Sequence, residues 1–433
     1  MNHRARGLRN RAVEPIVQAM ASTQAVETRR GRVGEVLAAF LRFGLTGFGG
    51  PVAHLGYFHD EFVERRRWCS GEEYAEIVAI AQSLPGPASS QVGFALGLRR
   101  AGWLGGAAAW LAFTLPSALL MLCYAYGHNL LGGRMGAGLV HGLQLVAVAI
   151  VAQAVLAMRR TLAPDWPRML LAGVSTLLVL TTNATLAAIA LGAACGAMLP
   201  PTASSPQPAA EMDVRLSRRA GAWAAAIFVI LLLASLLLTY ARPGQVATGQ
   251  TAAVVQPVQV FSAFYRTGAL VFGGGHVVLP LLEGAVVAPG WVNQSDFLSG
   301  YGVAQALPGP LFTFSAYLGA VIRPSAYPLA FSALALVGIF LPGLLAMVAV
   351  LPYWSELRSR RRVQGVLRGV NAAVVGVLFA AFWQPVCSST LHSWVDVGIA
   401  VAALAALLRW KLPAWAVVAV VGALSAALGA WQA

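Results

Sequence analysis

The stretch Trp68-Cys-Ser-Gly-Glu-Glu-Tyr-Ala-Glu-Ile-Val-Ala-Ile-Ala-Gln-Ser-Leu-Pro-Gly-Pro87 returns as Trp291-Val-Asn-Gln-Ser-Asp-Phe-Leu-Ser-Gly-Tyr-Gly-Val-Ala-Gln-Ala-Leu-Pro-Gly-Pro310. Trp68 falls on Trp291, Gln82 on Gln305 and the closing LPGP on a second LPGP, with no insertion between them. Upstream, Gly44…Phe48-Gly49-Gly50 recurs as Gly268…Phe272-Gly273-Gly274, and downstream Leu115-Pro116 recurs as Leu341-Pro342 after a small length change. Self-similarity in register over so many positions marks two copies of one structural unit.

Composition says where those copies reside. Of 433 residues, 58% are hydrophobic and only 11% charged, with a mean hydropathy of +0.69. A soluble chain carries about 25% charged residues, so a soluble enzyme, a secreted disulfide scaffold and a disordered protein are excluded. An all-α polytopic membrane protein remains, because a chain in lipid must satisfy its own backbone hydrogen bonds. Apolar stretches of spanning length lie near 36–58, 74–98, 102–126 and 136–158, with 168–199 divided at Thr181-Thr182-Asn183. Others follow at 222–240, 260–285, 297–322, 326–352, 366–384, 394–409 and 412–431. The expectation is about thirteen spans of roughly 20 residues.

The organisation follows. Residues 1–35 form a basic arm without an apolar core, 36–199 the first repeat, 200–259 a Pro- and Ser-rich linker plus a joining span, and 260–433 the second repeat. Six spans per repeat with one between them start the second repeat from the opposite side, so two inverted-topology repeats with broken helices are expected. The net charge of +14 comes from basic residues that are all arginine except Lys411. Most lie between spans on one side, which places the amino terminus in the cytoplasm of a multi-pass inner-membrane protein. On that basis the charge signals topology and lipid, not nucleic acid. This threading puts Arg65, Arg66 and Arg67 outside; a first segment that dips in and returns would bring them inside. The four cysteines are far apart and lack metal or disulfide spacing.

Two motifs per repeat break helices. Gly47-Phe48-Gly49-Gly50-Pro51 pairs with Phe272-Gly273-Gly274-Gly275, and Pro85-Gly86-Pro87 pairs with Pro308-Gly309-Pro310. Proline removes an amide donor and glycine weakens a helix, while unwound backbone at membrane depth must be buried in protein or line an aqueous cavity. Each break exposes a half-helix amino terminus, whose free N–H groups and dipole favour an anion. Ser89 and Ser90 in one repeat, and Thr313 in the other, put hydroxyls in the first turn. The alternative is that these glycines and prolines only kink helices or permit close packing, as Gly102…Gly106, Gly192…Gly196 and Gly365…Gly369 are expected to do.

Ionisable and amide groups at membrane depth complete the candidates. Arg42, one turn before the first glycine break, is placed to attract an anion or to snorkel to the interface. His54 and His276 follow the two glycine breaks and are candidates for a coupling proton; Glu76 and Glu283 are candidates for a proton relay. Gln82 and Gln305 are expected to be buried amides just before the LPGP breaks. No catalytic triad, carboxylate dyad, metal ligand spacing or cofactor motif is legible, and the GFGG run has neither the strand nor the lysine of a nucleotide loop.

The runs FGLTGFGGPVAHLGYFHDEFVERRRW and AIAQSLPGP, with FGGGHVVLPLLE and VAQALPGP in the second half, resemble the chromate ion transporter family in its long, two-domain form. The resemblance covers both repeats and leaves out the arm and linker. It implies a secondary transporter that exports chromate and confers resistance, without a cofactor and compatible with a homodimer. Sulfate is a close tetrahedral dianion, so a sulfate importer or exchanger is the alternative reading. A membrane-embedded enzyme is the more distant one. The family motifs carry onto Gly47, Phe48, Gly49, Gly50, Pro51, Pro85, Gly86, Pro87 and their partners. At Gly275 the second half lacks the proline, so the halves need not contribute equally.

Overall fold

The computed structural model describes residues 32–127, 133–182, 184–198, 216–240, 255–272, 277–323, 327–358 and 360–431. The arm up to residue 31, most of the linker, and Gly273, Gly274, Gly275 and His276 lie outside them. The described residues are helical with no strand, and five helices are long and apolar enough to cross a membrane, among them Met135–Leu162, Arg218–Leu238 and Pro328–Tyr353.

The first segment does not cross as one span. α1 (Val33–Thr46) has 14 residues, about 21 Å at 1.5 Å per residue, too short for a bilayer core of about 30 Å. The chain turns at Gly47–Gly49, and α2 (Gly50–His59), continued by a π-helical turn at Asp60–Arg65, runs back along α1. Phe40 of α1 contacts Phe58 at 5.3 Å and Phe62 at 4.9 Å between ring centroids. At the open end, Glu35 lies 3.8 Å from Arg66 and accepts from Trp68 Nε1 at 3.2 Å. The expected span at 36–58 is thus a hairpin. It brings Arg65, Arg66 and Arg67 to the face where α1 begins.

The same device repeats at once. α3 (Gly71–Ser83) starts with a capping box in which Ser70 and Glu73 exchange side chain-to-backbone bonds, a device that satisfies helix-end amides. After LPGP, α4 (Ala88–Gly127) begins, and Arg99 reaches both carboxylate oxygens of Glu73, at 2.8 and 2.9 Å. The expected span at 74–98 therefore also enters and returns. Although continuous in hydrogen bonding, α4 reverses at Ala101–Gly102, where Gly102 adopts φ 67 and ψ −159. Glycine reaches such a conformation without a Cβ penalty. Past it the two arms touch: a Cβ on Gly97 would lie 2.4 Å from Gly105 O. Only the arm after Gly102 crosses.

Beyond it run α5 (Gly133–Leu162), α6 (Trp166–Thr182), α7 (Thr185–Gly196) and the joining helix α8 (Arg218–Tyr240). The second half opens with α9 (Pro257–Leu270), which packs against α10 (Val278–Leu282) and its π continuation Glu283–Val287. α11 (Gln294–Ala306), the second LPGP, a 3-10 turn at Leu311–Thr313 and α12 (Phe314–Val321) form another return. Its ends meet where Arg323 N–H donates to Trp291 O at 2.9 Å. The expected span at 297–322 is thus also a hairpin. α13 (Pro328–Val350), α14 (Arg361–Ala381), α15 (Trp394–Leu408) and α16 (Ala414–Trp431) follow.

Small residues set the closest helix contacts, as expected for packing in lipid. A Cβ on Gly44 would lie 2.5 Å from Ala112 O and 3.0 Å from Pro116 Cγ; on Gly268 it would lie 2.2 Å from Ile339 O and 2.9 Å from Pro342 Cγ. Each half thus sets its first short helix against the proline kink of its crossing helix. Gly192 and Gly196 of α7 face Gly369 and Gly365 of α14, so the two small-xxx-small motifs meet each other across the halves. Gly102 instead sits at the reversal of α4, and Gly106 gives room to the Phe94 ring.

Candidate functional site

The hairpin tips converge. In both LPGP breaks the glycine has positive φ, 113° at Gly86 and 94° at Gly309, a region that side-chain-bearing residues rarely enter. Each glycine then reaches across to the other half. Gly86 N–H donates to Val271 O at 2.8 Å, and Gly309 N–H donates to Gly47 O at 2.9 Å. Val271 and Gly47 hold equivalent places, each directly before the phenylalanine of its glycine break. The neighbours correspond too: a Cβ on Gly86 would lie 2.8 Å from Gly343 Cα, and one on Gly309 would lie 3.1 Å from Ser117 Cβ. Ser117 and Gly343 follow the kink prolines Pro116 and Pro342.

At the first glycine break, Gly49 and Gly50 adopt φ 101 and 75, and Pro51 occupies the first turn of α2. Proline fits there because its missing donor would have had no helical acceptor. His54, one turn on, is buried with its ring edge against Phe113 at 5.1 Å. Its Nε2 lies 2.8 Å from Gly47 O; a carbonyl only accepts, so Nε2 carries the proton and donates. Nδ1 is buried without a hydrogen-bond partner among the described residues. Gly47 O therefore takes one bond from its own hairpin and one from the opposite half.

At the first LPGP break, Ser89, Ser90 and Gln91 fill the first turn of α4 and are at most 2% exposed. Gln91 Nε2 donates to Pro85 O and to Gly343 O, both at 2.9 Å. This ties the break to α13 and fixes the amide orientation, because both partners are acceptors. In the second half, Thr313 Oγ1 donates to Pro310 O at 2.9 Å and lies 2.7 Å from Ser117 Oγ. Neither α2 nor α4 carries an acidic residue in its first turn, so nothing there offsets the positive end of the dipole.

The other candidates lie elsewhere. Gln82 is exposed, contrary to the expected burial, because α3 turns that side chain outward at its last turn; Gln305 is half-buried. Arg42 is exposed and approaches Glu61 at 4.0 Å, away from the break and beside Arg65 and Arg66, which bind the same carboxylate at 2.9 and 2.7 Å. Glu76 accepts from Trp354 Nε1 at 2.8 Å, and Glu283 faces Gln294 at the base of its hairpin. Neither is at a tip. Gly273, Gly274, Gly275 and His276 lie outside the described residues. Sequence reading passed over Gln91 and Ser117 as site residues. Each belongs to a matched segment but has an unlike partner, Phe314 and Gly343, so the repeat gave no signal for either.

The profile of the chromate transporter family matches residues 34–198 and again 258–429. A probable chromate transport protein from Synechococcus elongatus is 30% identical over 79% of this chain and 81% of its own length. The chromate transport protein of Pseudomonas aeruginosa is 28% identical over 92% of this chain and 91% of its own. That of Cupriavidus metallidurans is 29% identical over 87% and 88%. No solved structure matches the chain.

Proposed function

The chain belongs to the chromate transporter family, and from that premise we propose that it is a secondary transporter exporting chromate across the cytoplasmic membrane by alternating access, so conferring resistance. The observation that carries the reading is the reciprocal pair of backbone bonds, Gly86 to Val271 and Gly309 to Gly47. Helix breaks of two halves locked tip to tip bring half-helix amino termini to one level in the bilayer, where secondary transporters hold their substrate. Such amino termini suit a tetrahedral dianion.

The halves are read as inverted repeats. Support comes from α12, which is capped by Thr313 beside Ser117 and leads to Tyr317 stacked on Tyr124 at 5.3 Å. It runs along the crossing arm of α4 away from Gly102, so its hairpin opens on the side opposite to Glu35 and Arg99. The amino terminus is read as cytoplasmic. Arg65, Arg66, Arg99 and Arg100 cluster at the hairpin bases, and the Glu76–Trp354 and Arg218–Glu356 contacts tie further arginine-bearing segments to that face. The breaks at Gly47–Gly50 and Pro85–Pro87, with Ser89, Ser90 and their partners in the second half, are read as the substrate site; among the described residues His54 is the coupling-proton candidate nearest to it.

Everted vesicles test the proposal. Those containing the protein should accumulate labelled chromate that is recovered chemically unchanged, with rates that respond when pH gradient and potential are varied independently. Accumulation equal to that of control vesicles would remove it. Uptake of sulfate in preference to chromate would favour the importer or exchanger reading.

A further inference from the structure

The two LPGP breaks share a fold but not a state of hydrogen bonding. In the second half the helix restarts through a 3-10 turn, Leu311–Thr313, and its hydroxyls are already engaged. Thr313 Oγ1 bonds Pro310 O and Ser117 Oγ, and Ser315 Oγ donates to Phe312 O at 2.8 Å. Leu311, Phe312 and Phe314 fill the remaining positions of that turn with apolar bulk and are buried. Both hydroxyls of that turn are thus spent on protein partners.

The first half differs at every one of these points. α4 begins directly after Pro87 as a regular helix, and Ser90 Oγ, in a residue 1% exposed, has no hydrogen-bond partner among the described residues. Gln91 Oε1, in a residue fully buried, is likewise unpartnered, although its Nε2 is doubly bonded. Buried polar groups are seldom left unpaired, because a buried donor or acceptor without a partner loses its hydration and gains nothing in return. The antiparallel contacts of Gly97 with Gly105 and Phe94 with Gly106 set Ser90 further along, at the level of Ala109–Phe113. His54, with its unpartnered Nδ1, rests against Phe113 in that layer.

We propose that, of the two LPGP breaks, the first holds the oxyanion, at the amino terminus of α4, with Ser90 Oγ and the first-turn amides as donors. The second LPGP acts as a closed pivot that positions Gly47 through Gly309. A hydrated or protonated tetrahedral oxyanion also brings the donor that Gln91 Oε1 requires. This assignment rests on the transporter reading above and narrows its site to one of two matched breaks.

The test uses the full chain in proteoliposomes with chromate as probe, comparing Ser90→Ala with Thr313→Val. Ser90→Ala deletes a hydroxyl that bonds nothing among the described residues, so thermal stability should hold while KM for chromate rises on the order of tenfold or more, as for a lost hydrogen bond to a charged group. Thr313→Val removes two protein bonds, so it should lower stability and maximal rate but leave KM within about twofold; the retained hydroxyl in Thr313→Ser controls for misfolding. An unchanged KM in Ser90→Ala, or an equal rise in Thr313→Val, overturns the assignment. Absence of chromate transport by the unaltered protein would instead defeat the transporter reading.

Discussion

Substituting Gly86 by alanine tests whether the tip-to-tip geometry is obligatory. Two costs add there. The residue sits at φ 113, and holding a side-chain-bearing residue in such a region costs about 1–3 kcal/mol. The new Cβ would also stand 2.8 Å from Gly343 Cα, a backbone atom that cannot rotate away, and overpacking of this kind costs about 1–3 kcal/mol. The expected loss for Gly86→Ala is therefore about 2–6 kcal/mol, with transport lost because the bond to Val271 is strained open. Gly102→Ala provides the comparison. Its φ of 67 is also restricted, but nothing lies within 4 Å of its Cβ, so only the first cost of about 1–3 kcal/mol applies. Gly309→Ala should fall between, since its Cβ meets Ser117 Cβ at 3.1 Å and Phe113 O at 3.2 Å. Thermal unfolding of the purified variants, with vesicle uptake of chromate, reads the series. Equal unfolding temperatures for Gly86→Ala and Gly102→Ala would refute the crowding argument, and wild-type stability in both would refute the backbone argument as well.

Three further outcomes follow from the hairpin bases. Glu73→Gln should destabilise by about 3–5 kcal/mol, because it leaves the Arg99 guanidinium, on a side chain only 12% exposed, without its anion, while Glu73→Gln with Arg99→Met should recover part of the loss in the same unfolding assay. For Glu61, burial pushes the carboxyl up, but the Arg66 hydrogen bond and the charges of Arg66, Arg65 and Arg42 outweigh it and hold it below its ordinary value. A depressed carboxyl stabilises above its unfolded value and loses that contribution as pH falls through the folded one. Acidification below about pH 4 should thus lower the unfolding temperature more in the wild type than in Glu61→Gln, and parallel pH curves would contradict the pairing. A cysteine in place of the exposed Glu64 should react with an impermeant thiol reagent from the cytoplasmic side, and one in place of Tyr327, 67% exposed, from the other. Labelling of both from one side would remove the inverted arrangement.

Much was legible without coordinates, and for a definable reason. Repetition is a property of the string, so Trp68–Pro87 and Trp291–Pro310 could be aligned by inspection, and scarce charge alone selected a membrane chain. Glycine and proline are local punctuation; they fixed where helices end at Gly47–Pro51 and Pro85–Pro87, and why Gly86 and Gly309 must be glycine follows from φ. Hydropathy, by contrast, reports how apolar a stretch is and not its direction. An uninterrupted apolar run from 36 to 58 reads as a crossing, whereas Phe40 against Phe58 and Glu35 against Arg66 are contacts across a reversal that no window of sequence contains. The same blindness hid the returns after both LPGP motifs.

The sequence by itself determined the membrane class, the two copies and the positions of the breaks, because composition, repetition and helix-breaking residues act locally. Only the tertiary structure decided which way each segment runs after its break, and that the breaks of one half bond to those of the other. It also separated two matched motifs that the string presents as equals. Ser90 and Thr313 align as hydroxyls after LPGP, yet the Thr313 hydroxyl is bonded to Pro310 and Ser117 while that of Ser90 has no partner among the described residues. Whether a buried hydroxyl is available to a ligand depends on what surrounds it in space, and those neighbours come from distant parts of the chain.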